Sequence, residues 1–487
     1  MAAAHHDQRI TTSEPRYRAG NQTNPVPAEF KEKRFDWPLC YDAENLILNQ
    51  IQAFLARNQF ASRLSERMRT ETGTLLIDWA DDLVLPADAE PALRDAGFTD
   101  DPLGETPASS QKMFWHSDAM LPRVVLDYNL PSSGHPDALA IHVDSISDFL
   151  AIHGIAAAPE GEPLSRFRRA LASAEKGTRL EVVERRGYRG FVMEGSHPGR
   201  AEAVLTGHEL WKMRRRIFDA DAEGFQATHA LLDRLIALVG RDLACHIVFA
   251  EERAYWERRN RAAQIQKRRQ DKLGLGWSNH DHHTFRSSRR HFVDLMRALE
   301  KLGFERRERF YAGAQAGWGA QILEQPVEGI VAFCDVDLEP EETDIDFSRQ
   351  ILPPRREAGT IGLWVGLHGE SFLEAGMHHL ECRFDHNLLR EQLAAEGVVT
   401  MQPFSDFPFL RQAFTEGEQW PVRRARAERL LLDGLIDEKQ MNRFVSDGAI
   451  GSHLENLQRR GGFKGFNQKS VSAIIQATDP RGQGHGA

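Results

Sequence analysis

Two short segments of this chain repeat one pattern, a histidine followed four residues later by an arginine. The first runs from His282 to Arg286 and the second from His379 to Arg383. Because side chains alternate between the two faces of an extended strand, the histidine and the arginine of each segment share a face. An imidazole commonly binds transition metals, and a guanidinium fork suits carboxylates. The repeat therefore predicts a cleft that holds a metal ion and an acidic substrate.

The predicted metal ligands are His282 and His379. Two histidines and one carboxylate leave three coordination positions open, the arrangement of non-haem Fe(II) oxygenases. The adjacent His283 and His378 point to the opposite faces, and a register error of one residue would exchange the two pairs. We choose His282 and His379 because only they have an arginine at the same offset on the same face. The residues alone leave the third ligand open.

The predicted carboxylate-binding residues are Arg286 and Arg383. Each carries a fixed positive charge and a planar fork that can bind both oxygens of a carboxylate. Arg383 has Glu381 and Asp385 nearby in the sequence, so a local ion pair is an equal alternative for it. Arg286 lies among further arginines and has fewer local partners.

The elements that follow the two histidine segments are also repeated. Each segment precedes an amphipathic helix that ends at a glycine and then a series of apolar strands. The predicted helices are Phe292 to Leu302 and Asn387 to Ala395, and the predicted strands span 304–311, 320–324, 329–338 and the region 398–418. The sequence thus predicts an α+β fold in which duplicated β-α-β-β-β modules form a curved sheet around a shared cleft.

The remainder of the chain divides by composition. Residues 1–36 are polar and are expected to form a flexible arm. Residues 37–275 are expected to form an N-terminal α+β region with a long helical block, and residues 276–487 the metal-binding domain, whose C-terminal segment closes the site. Within the N-terminal region, a strand at 137–144, a helix from Ile146 to Ile152 and Gly154 follow the same order as the later repeats. That order is consistent with a third, decayed copy.

Composition excludes several classes of function. The chain has 487 residues with a net charge of −10, which argues against nucleic-acid binding. Its four cysteines are scattered and form no CxxC pair, which argues against a disulfide framework and a zinc finger. No stretch approaches the length of a membrane span, so a soluble cytoplasmic protein is expected.

Taken in order along the chain, the motifs resemble those of the vicinal-oxygen-chelate superfamily, and within it the 2-oxoadipate dioxygenase/decarboxylase (hydroxyglutarate synthase) family. The segment from His282 to Arg286 matches the family's His-x-x-x-Arg strand, and the segment from His379 to Arg383 matches its His-Leu-x-x-Arg motif. Val471-Ser472-Ala473 is similar to a C-terminal segment that lines the family's substrate site. The resemblance covers mainly residues 280 to 480.

This resemblance implies a function and a set of site residues. His282 and His379 would bind Fe(II), Arg286 would bind the distal carboxylate of the substrate, and Val471 and Ser472 would contact it. The implied reaction is an O2-dependent decarboxylation of a 2-oxo acid that gives a 2-hydroxy acid and CO2.

The third ligand is the point at which the sequence departs from the family. The family has a glutamate there, whereas the apparent counterpart from Phe407 to Gln412 contains no carboxylate. Glu416 or Glu418 would supply it if the alignment shifts by a few residues, and Glu416 is our prediction.

Two alternatives remain open at this stage. A lyase or isomerase of the same fold would use Zn, Mn or Ni to polarise a chelating substrate without oxygen. A non-catalytic binding protein would keep Arg286 and Arg383 but no metal. In the leading interpretation the partners are a small carboxylate substrate and O2.

Overall fold

The computed structural model describes residues 37–106, 108–195, 197–401, 405–467 and 479–481. The predicted arm, residues 1–36, and the predicted substrate contacts Val471 and Ser472 lie outside these ranges. Within the described ranges, no helix combines the length and the apolar character that crossing a bilayer requires.

The N-terminal part forms a first mixed sheet of seven strands with four helices. The elements in chain order are α1 (Tyr41–Leu55), α2 (Gln59–Arg67), β1 (Ala80–Pro86), α3 (Glu90–Asp95), β2 (Thr99–Asp100), β3 (Gln111–Trp115), β4 (Arg123–Asp127), β5 (Ala138–His142), α4 (Ile146–Ile152), β6 (Phe167–Glu175) and β7 (Thr178–Arg185). The strands lie in the order β2-β3-β4-β1-β5-β7-β6. Strand β5 pairs in parallel with β7 after the α4 crossover, and β1 pairs in parallel with β4 after α3. The suggested third copy is therefore present with one strand fewer, as β5-α4-β6-β7, and β1 to β4 with α3 form a fourth copy that has the full β-α-β-β-β order.

Four helices connect the first sheet to the second. They are α5 (Arg200–Lys212), α6 (Asp221–Val239), α7 (Arg241–Glu257) and α8 (Arg261–Asp271). Trp211, Phe249 and Trp256 on these helices are fully buried in a core that also contains residues of the second sheet. Burying such large apolar side chains fixes the helices against one face of that sheet.

The second sheet has nine strands and contains the two modules predicted from the repeat. The first module comprises β8 (His280–Arg286), α9 (Phe292–Lys301), β9 (Glu305–Tyr311), β10 (Trp318–Gln325) and β11 (Ile330–Asp337). The second comprises β12 (His379–Arg383), α11 (His386–Ala395), β13 (Ser405–Phe407), β14 (Leu410–Phe414) and β16 (Ala449–Arg459). Helix α10 (Thr360–His368) precedes this module. An insertion between β14 and β16 contains β15 (Glu418–Trp420), α12 (Arg424–Leu432) and α13 (Glu438–Asp447). Eight strands of the sheet follow the order β13-β14-β16-β12-β8-β11-β10-β9, which places the two modules side by side, and the ninth, β15, pairs with β16.

The two histidine strands meet at the centre of this sheet. Strand β8 is antiparallel to β12, with His379 opposite Thr284 and Glu381 opposite His282. On each outer side the pairing is parallel, β8 with β11 and β12 with β16. The duplicated α+β architecture that the repeat predicts is confirmed by this order.

Alternation along the central strands separates the core from a cavity. Phe285 of β8, Cys334 of β11 and Leu380 of β12 are fully buried in the core that the helices cover. Their neighbours in the sequence line a cavity on the other face, as the period of two requires. Since residues from β9 and from β14, near opposite ends of the sheet, line the same cavity, the sheet curves around it.

Candidate metal centre and its cavity

A cavity of about 80 Å³ lies on the concave face of the second sheet. This volume is several times the ~10–15 Å³ that a cavity needs to hold one water, so a small organic acid can enter it. One wall is aromatic and consists of Phe310, Trp318, Phe333, Phe414 and Phe466. The remaining lining is polar and ionisable, so the cavity has the apolar body and few convergent polar groups of a ligand site.

Imidazole and carboxylate groups converge on one part of this cavity. Nε2 of His282 lies 2.9 Å from Oε1 of Glu381, and Nε2 of His379 lies 2.5 Å from the same oxygen. Glu455 completes the group, with Oε2 at 3.9 Å from Nε2 of His379. Ligand atoms of His282, Glu381 and Glu455 all lie within 4.8 Å of one another, an arrangement that could hold a metal ion.

Neighbouring side chains fix the orientation of these groups. Nδ1 of His282 lies 3.0 Å from Oδ2 of Asp281, which leaves Nε2 directed at the cavity. Asp281 is itself held by Arg459 through two contacts of 3.0 and 2.9 Å. Gln412 donates from Nε2 to Oε1 of Glu455 at 2.7 Å. A carboxylate behind a histidine, itself anchored, is the usual support of a metal-binding imidazole.

The electrostatics of the two glutamates fit a bound cation. Burial raises the pKa of Glu381 well above its ordinary value, and the adjacent Glu455 raises it further. Burial raises the pKa of Glu455 to about 7, against the opposing hydrogen bonds from Glu381 and Gln412. Two carboxylates this close cannot both be ionised without a positive charge between or beside them. A divalent cation would supply that charge, and the nitrogen and oxygen donors suit Fe(II), Mn or Zn.

The histidines are prepared for the same role. Burial lowers the pKa of His282 despite the opposing effect of Asp281, and it lowers the pKa of His379 well below the ordinary value, with His453 and Arg286 acting in the same direction. Both imidazoles are therefore neutral at physiological pH, which is the state that binds metals.

Arg286 lies in the same cavity, together with Asp335 of the neighbouring strand. Both side chains are only 4% exposed, and Nε of Arg286 lies 3.5 Å from Oδ2 of Asp335. The guanidinium also lies over the ring of Trp364, 5.5 Å from its centroid. The predicted carboxylate-binding arginine is thus buried and directed at the cavity that contains the imidazoles.

Two of the predicted site residues lie elsewhere. Glu416, the predicted third ligand, is exposed and does not line the cavity, because it follows β14 in the turn towards β15. Glu381 and Glu455 supply the carboxylates in its place. Arg383 lies near the end of β12 against the N-terminal part, where Nη2 donates to the carbonyl of Asp78 at 2.8 Å. It lines a different, smaller cavity. Its contact is therefore structural, but it is made with the distant Asp78 and is not the local ion pair with Glu381 or Asp385.

Sequence reasoning did not assign Glu455, Asp335 or Glu381 to the site, and all three line the cavity. A signal for the first was present, since the tripeptide His-Leu-Glu occurs at 379–381 and again at 453–455. The structure pairs these two tripeptides in register on β12 and β16. The inserted helices α12 and α13 separate β16 from the rest of its module, which hid the final strand.

No protein-family model matches the chain, and no curated protein matches it. Solved structures to which it is similar include methylmalonyl-CoA epimerase from Mycobacterium tuberculosis, with 13% identity, a TM-score of 0.22 and coverage of 37% of this chain and 88% of that one. A variant of 4-hydroxymandelate synthase from Streptomyces coelicolor has 12% identity, a TM-score of 0.27 and coverage of 83% and 98%.

A third similar structure is a fusion of a xylose isomerase-like TIM barrel with 4-hydroxyphenylpyruvate dioxygenase. Its identity is 12%, its TM-score is 0.22, and the match covers 92% of this chain and 58% of that one. At TM-scores this low, the likenesses decide nothing about the chemistry of this chain. The fold follows from its own strand order, and the function must be inferred from its own side chains.

Proposed function

We propose that this protein is a mononuclear Fe(II)-dependent dioxygenase and decarboxylase that acts on a small 2-oxo carboxylic acid. The observation that carries the proposal is the convergence of two neutral imidazoles and two buried carboxylates in a cavity that also presents Arg286. His282, His379 and Glu455 come from three adjacent strands and form a set of two histidines and one carboxylate. That set is the one used by non-haem iron oxygenases.

In the proposed reaction a 2-oxo acid and O2 give CO2 and a 2-hydroxy acid that is one carbon shorter. The carboxylate next to the oxo group leaves as CO2 with its own two oxygen atoms. One oxygen atom of O2 joins the former oxo carbon, which becomes the new carboxylate, and the second oxygen atom becomes the hydroxyl group on the adjacent carbon. Fe(II), when bound, would supply the one-electron chemistry that triplet O2 requires and a template for a chelating 2-oxo acid.

The side chains of the chain itself perform the remaining tasks. Arg286 binds the carboxylate of the substrate remote from the oxo group, through charge-assisted hydrogen bonds that strengthen in a buried site. Asp281 holds a proton on Nδ1 of His282 and so keeps Nε2 free to act as a ligand. The aromatic wall excludes water from the reacting centre and so prevents side reactions with solvent.

The test is metal analysis combined with oxygen uptake. The protein is purified anaerobically and titrated with Fe(II), and O2 consumption is then followed with a series of 2-oxo acids of three to seven carbons. We expect one Fe(II) per chain and equal amounts of O2 consumed and CO2 released with at least one acid. Stoichiometric iron without O2 consumption for any acid would exclude the oxygenase, and failure to bind any divalent metal would exclude a metalloenzyme.

A non-oxidative lyase or isomerase is a second candidate, and Glu381 favours it. Thr284 follows His282 by two residues in the first module, as Glu381 follows His379 in the second, so Thr284 is the equivalent of Glu381. The second module therefore carries one more carboxylate than a three-ligand site needs. If Glu381 binds the metal together with His282, His379 and Glu455, only two of six positions remain for substrate. A chelating substrate would fill both and leave none for O2.

Anaerobic turnover separates the two candidates. Conversion of a 2-oxo acid or of a related chelating acid by the metal-loaded protein without O2 would support the second candidate. The Glu381→Thr variant recreates the arrangement of the first module. Under the first proposal it retains O2-dependent turnover, whereas under the second it loses its activity and keeps the metal.

A further inference from the structure

We propose that the substrate of this cavity carries a zwitterionic α-amino acid group at its non-chelating end, with its carboxylate on Arg286 and its ammonium on Asp335 and an aromatic trio. The aromatic trio is defined as Phe310, Trp318 and Phe333. The assignment names the substrate class of the site described above and rests on the proposed function only for the chelating end of the molecule.

The first step is the pairing of Arg286 with Asp335. The two residues lie opposite each other in register on the parallel strands β8 and β11. Their one hydrogen bond, 3.5 Å from Nε to Oδ2, is at the long limit for such a contact. Nη1 of Arg286 and Oδ1 of Asp335 are buried and have no partner among the described residues. A donor and an acceptor are thus left side by side, and burying them without partners is costly.

The second step is the aromatic trio. The ring centroids of Phe310 and Trp318 are 5.4 Å apart, and the ring of Phe333 lies 6.1 Å from the first and 6.3 Å from the second. All three rings line the cavity, and Phe333 precedes Asp335 by two residues on the same face of β11. Aromatic faces next to a carboxylate are the usual recognition site for an ammonium group.

The strand on the other side of β11 presents a small residue to Asp335. Asp335 lies opposite Ala320 of β10, whose side chain is a single methyl group. The larger Trp318, two residues earlier on the same strand, belongs to the trio. Asp335 and Trp318 both line the cavity.

Charge balance favours a zwitterion over a simple dicarboxylic acid. Arg286 and an ionised Asp335 sum to zero charge, so a carboxylate alone would sit beside the Asp335 carboxylate and be repelled. An α-amino acid group places opposite charges next to both. Burial raises the pKa of Asp335 to about 7 against the effect of Arg286, so the comparison of ligands belongs near pH 8, where this carboxyl is ionised.

Two pairs of ligands that differ only in the amine test the proposal by isothermal titration calorimetry. Glutamate is compared with glutarate on the metal-free protein, and 2-aminohexanedioate with hexanedioate on the protein loaded with Fe(II) without oxygen. We expect the amine to strengthen binding at least tenfold in either pair. Equal affinities within both pairs, or binding of neither member of either pair, would overturn the proposal.

Variants locate the effect. Asp335→Asn keeps the shape of the side chain and is expected to remove the preference for the amine, and Phe333→Leu is expected to reduce it several-fold. Asp294→Asn, at a carboxylate outside the cavity, is the matched control and should keep the full preference. An unchanged preference in folded Asp335→Asn would also overturn the assignment. The metal content of each variant is measured separately. If the protein binds no metal, the proposed function fails, but the comparison of glutamate with glutarate on the metal-free protein still tests the amino acid site.

Discussion

Glu381 and Glu455 lie opposite each other in register on the parallel strands β12 and β16, each as the last residue of a His-Leu-Glu tripeptide. Both carboxylates are almost completely buried, with exposures of 2% and 1%. In the absence of a cation they must share at least one proton, because two adjacent negative charges in a buried site repel each other strongly. A metal ion at this position therefore competes with protons.

Metal affinity is accordingly expected to rise with pH. The pKa of Glu455 is raised to about 7 and that of Glu381 is raised well above its ordinary value, so below neutral pH a metal must displace the protons that these groups hold. The pKa values of His282 and His379 are lowered, so the imidazoles release fewer protons in this range than ordinary histidines would. Each displaced proton changes the affinity about tenfold per pH unit. A competition titration against a chromophoric chelator from about pH 6 to about pH 8 measures the slope, and a flat profile would contradict this account.

His379→Ala is expected to lower the affinity for a divalent metal by at least about 100-fold, because it removes one of the imidazoles directed at the shared carboxylate oxygen. Glu416→Gln provides the matched control, since Glu416 is exposed and outside the cavity. The readout is metal per chain by elemental analysis after gel filtration. The ligand assignment fails if His379→Ala retains stoichiometric metal or if Glu416→Gln loses it.

Asp281→Asn tests the support behind His282. The carboxylate holds Nδ1 of His282 at 3.0 Å, and such partners of a metal-binding histidine typically contribute about 10- to 100-fold to the affinity. We expect a loss of that size with the metal site still present. Asp294→Asn is a suitable control because Asp294 contacts His291 in a similar way at 2.9 Å, away from the cavity. Equal metal affinities of the two variants would show that Asp281 does not position His282.

The parts of this site that could be predicted from the sequence are those with local signals. The helices Phe292–Lys301 and Asn387 onward followed from apolar periodicity and terminal glycines, and the shared face of His282, Thr284 and Arg286 followed from strand alternation. The duplication was visible because each copy keeps a histidine, an arginine and a helix at the same spacing. These features depend on residues close together in the chain.

The parts that could not be predicted depend on pairing between distant segments. Glu455 enters the site because β16 pairs with β12 after an insertion of two helices, and the length of that insertion is not encoded near either strand. Arg383 shares a face with His379 in an ideal strand, yet it leaves the cavity because the N-terminal part supplies the carbonyl of Asp78 at the end of β12. Asp335 could not be assigned to the site because its burial opposite Arg286 depends on the parallel pairing of β8 with β11.

Gly451→Ala is expected to destabilise the fold at the edge of the site. A Cβ at this position would lie 1.8 Å from Cδ2 of Trp420, so the indole or strand β16 must move. The carbonyl of Gly451 also accepts hydrogen bonds from Nε1 of Trp364 and contacts Nδ1 of His378, both at 3.0 Å. Overpacking a buried position and disturbing these contacts should lower the free energy of unfolding by about 3 kcal/mol.

Denaturant unfolding of two further variants shows whether Trp420 is the cause. Gly195→Ala, where an added Cβ meets nothing within 4 Å, should change the free energy of unfolding by less than about 0.5 kcal/mol. The double variant Gly451→Ala with Trp420→Leu removes the indole that the new methyl group would strike. The double variant should therefore lose less unfolding free energy than the sum of the losses of the two single variants, because the steric conflict occurs only in Gly451→Ala with Trp420 present. Strictly additive losses would mean that the contact between Gly451 and Trp420 does not require a glycine.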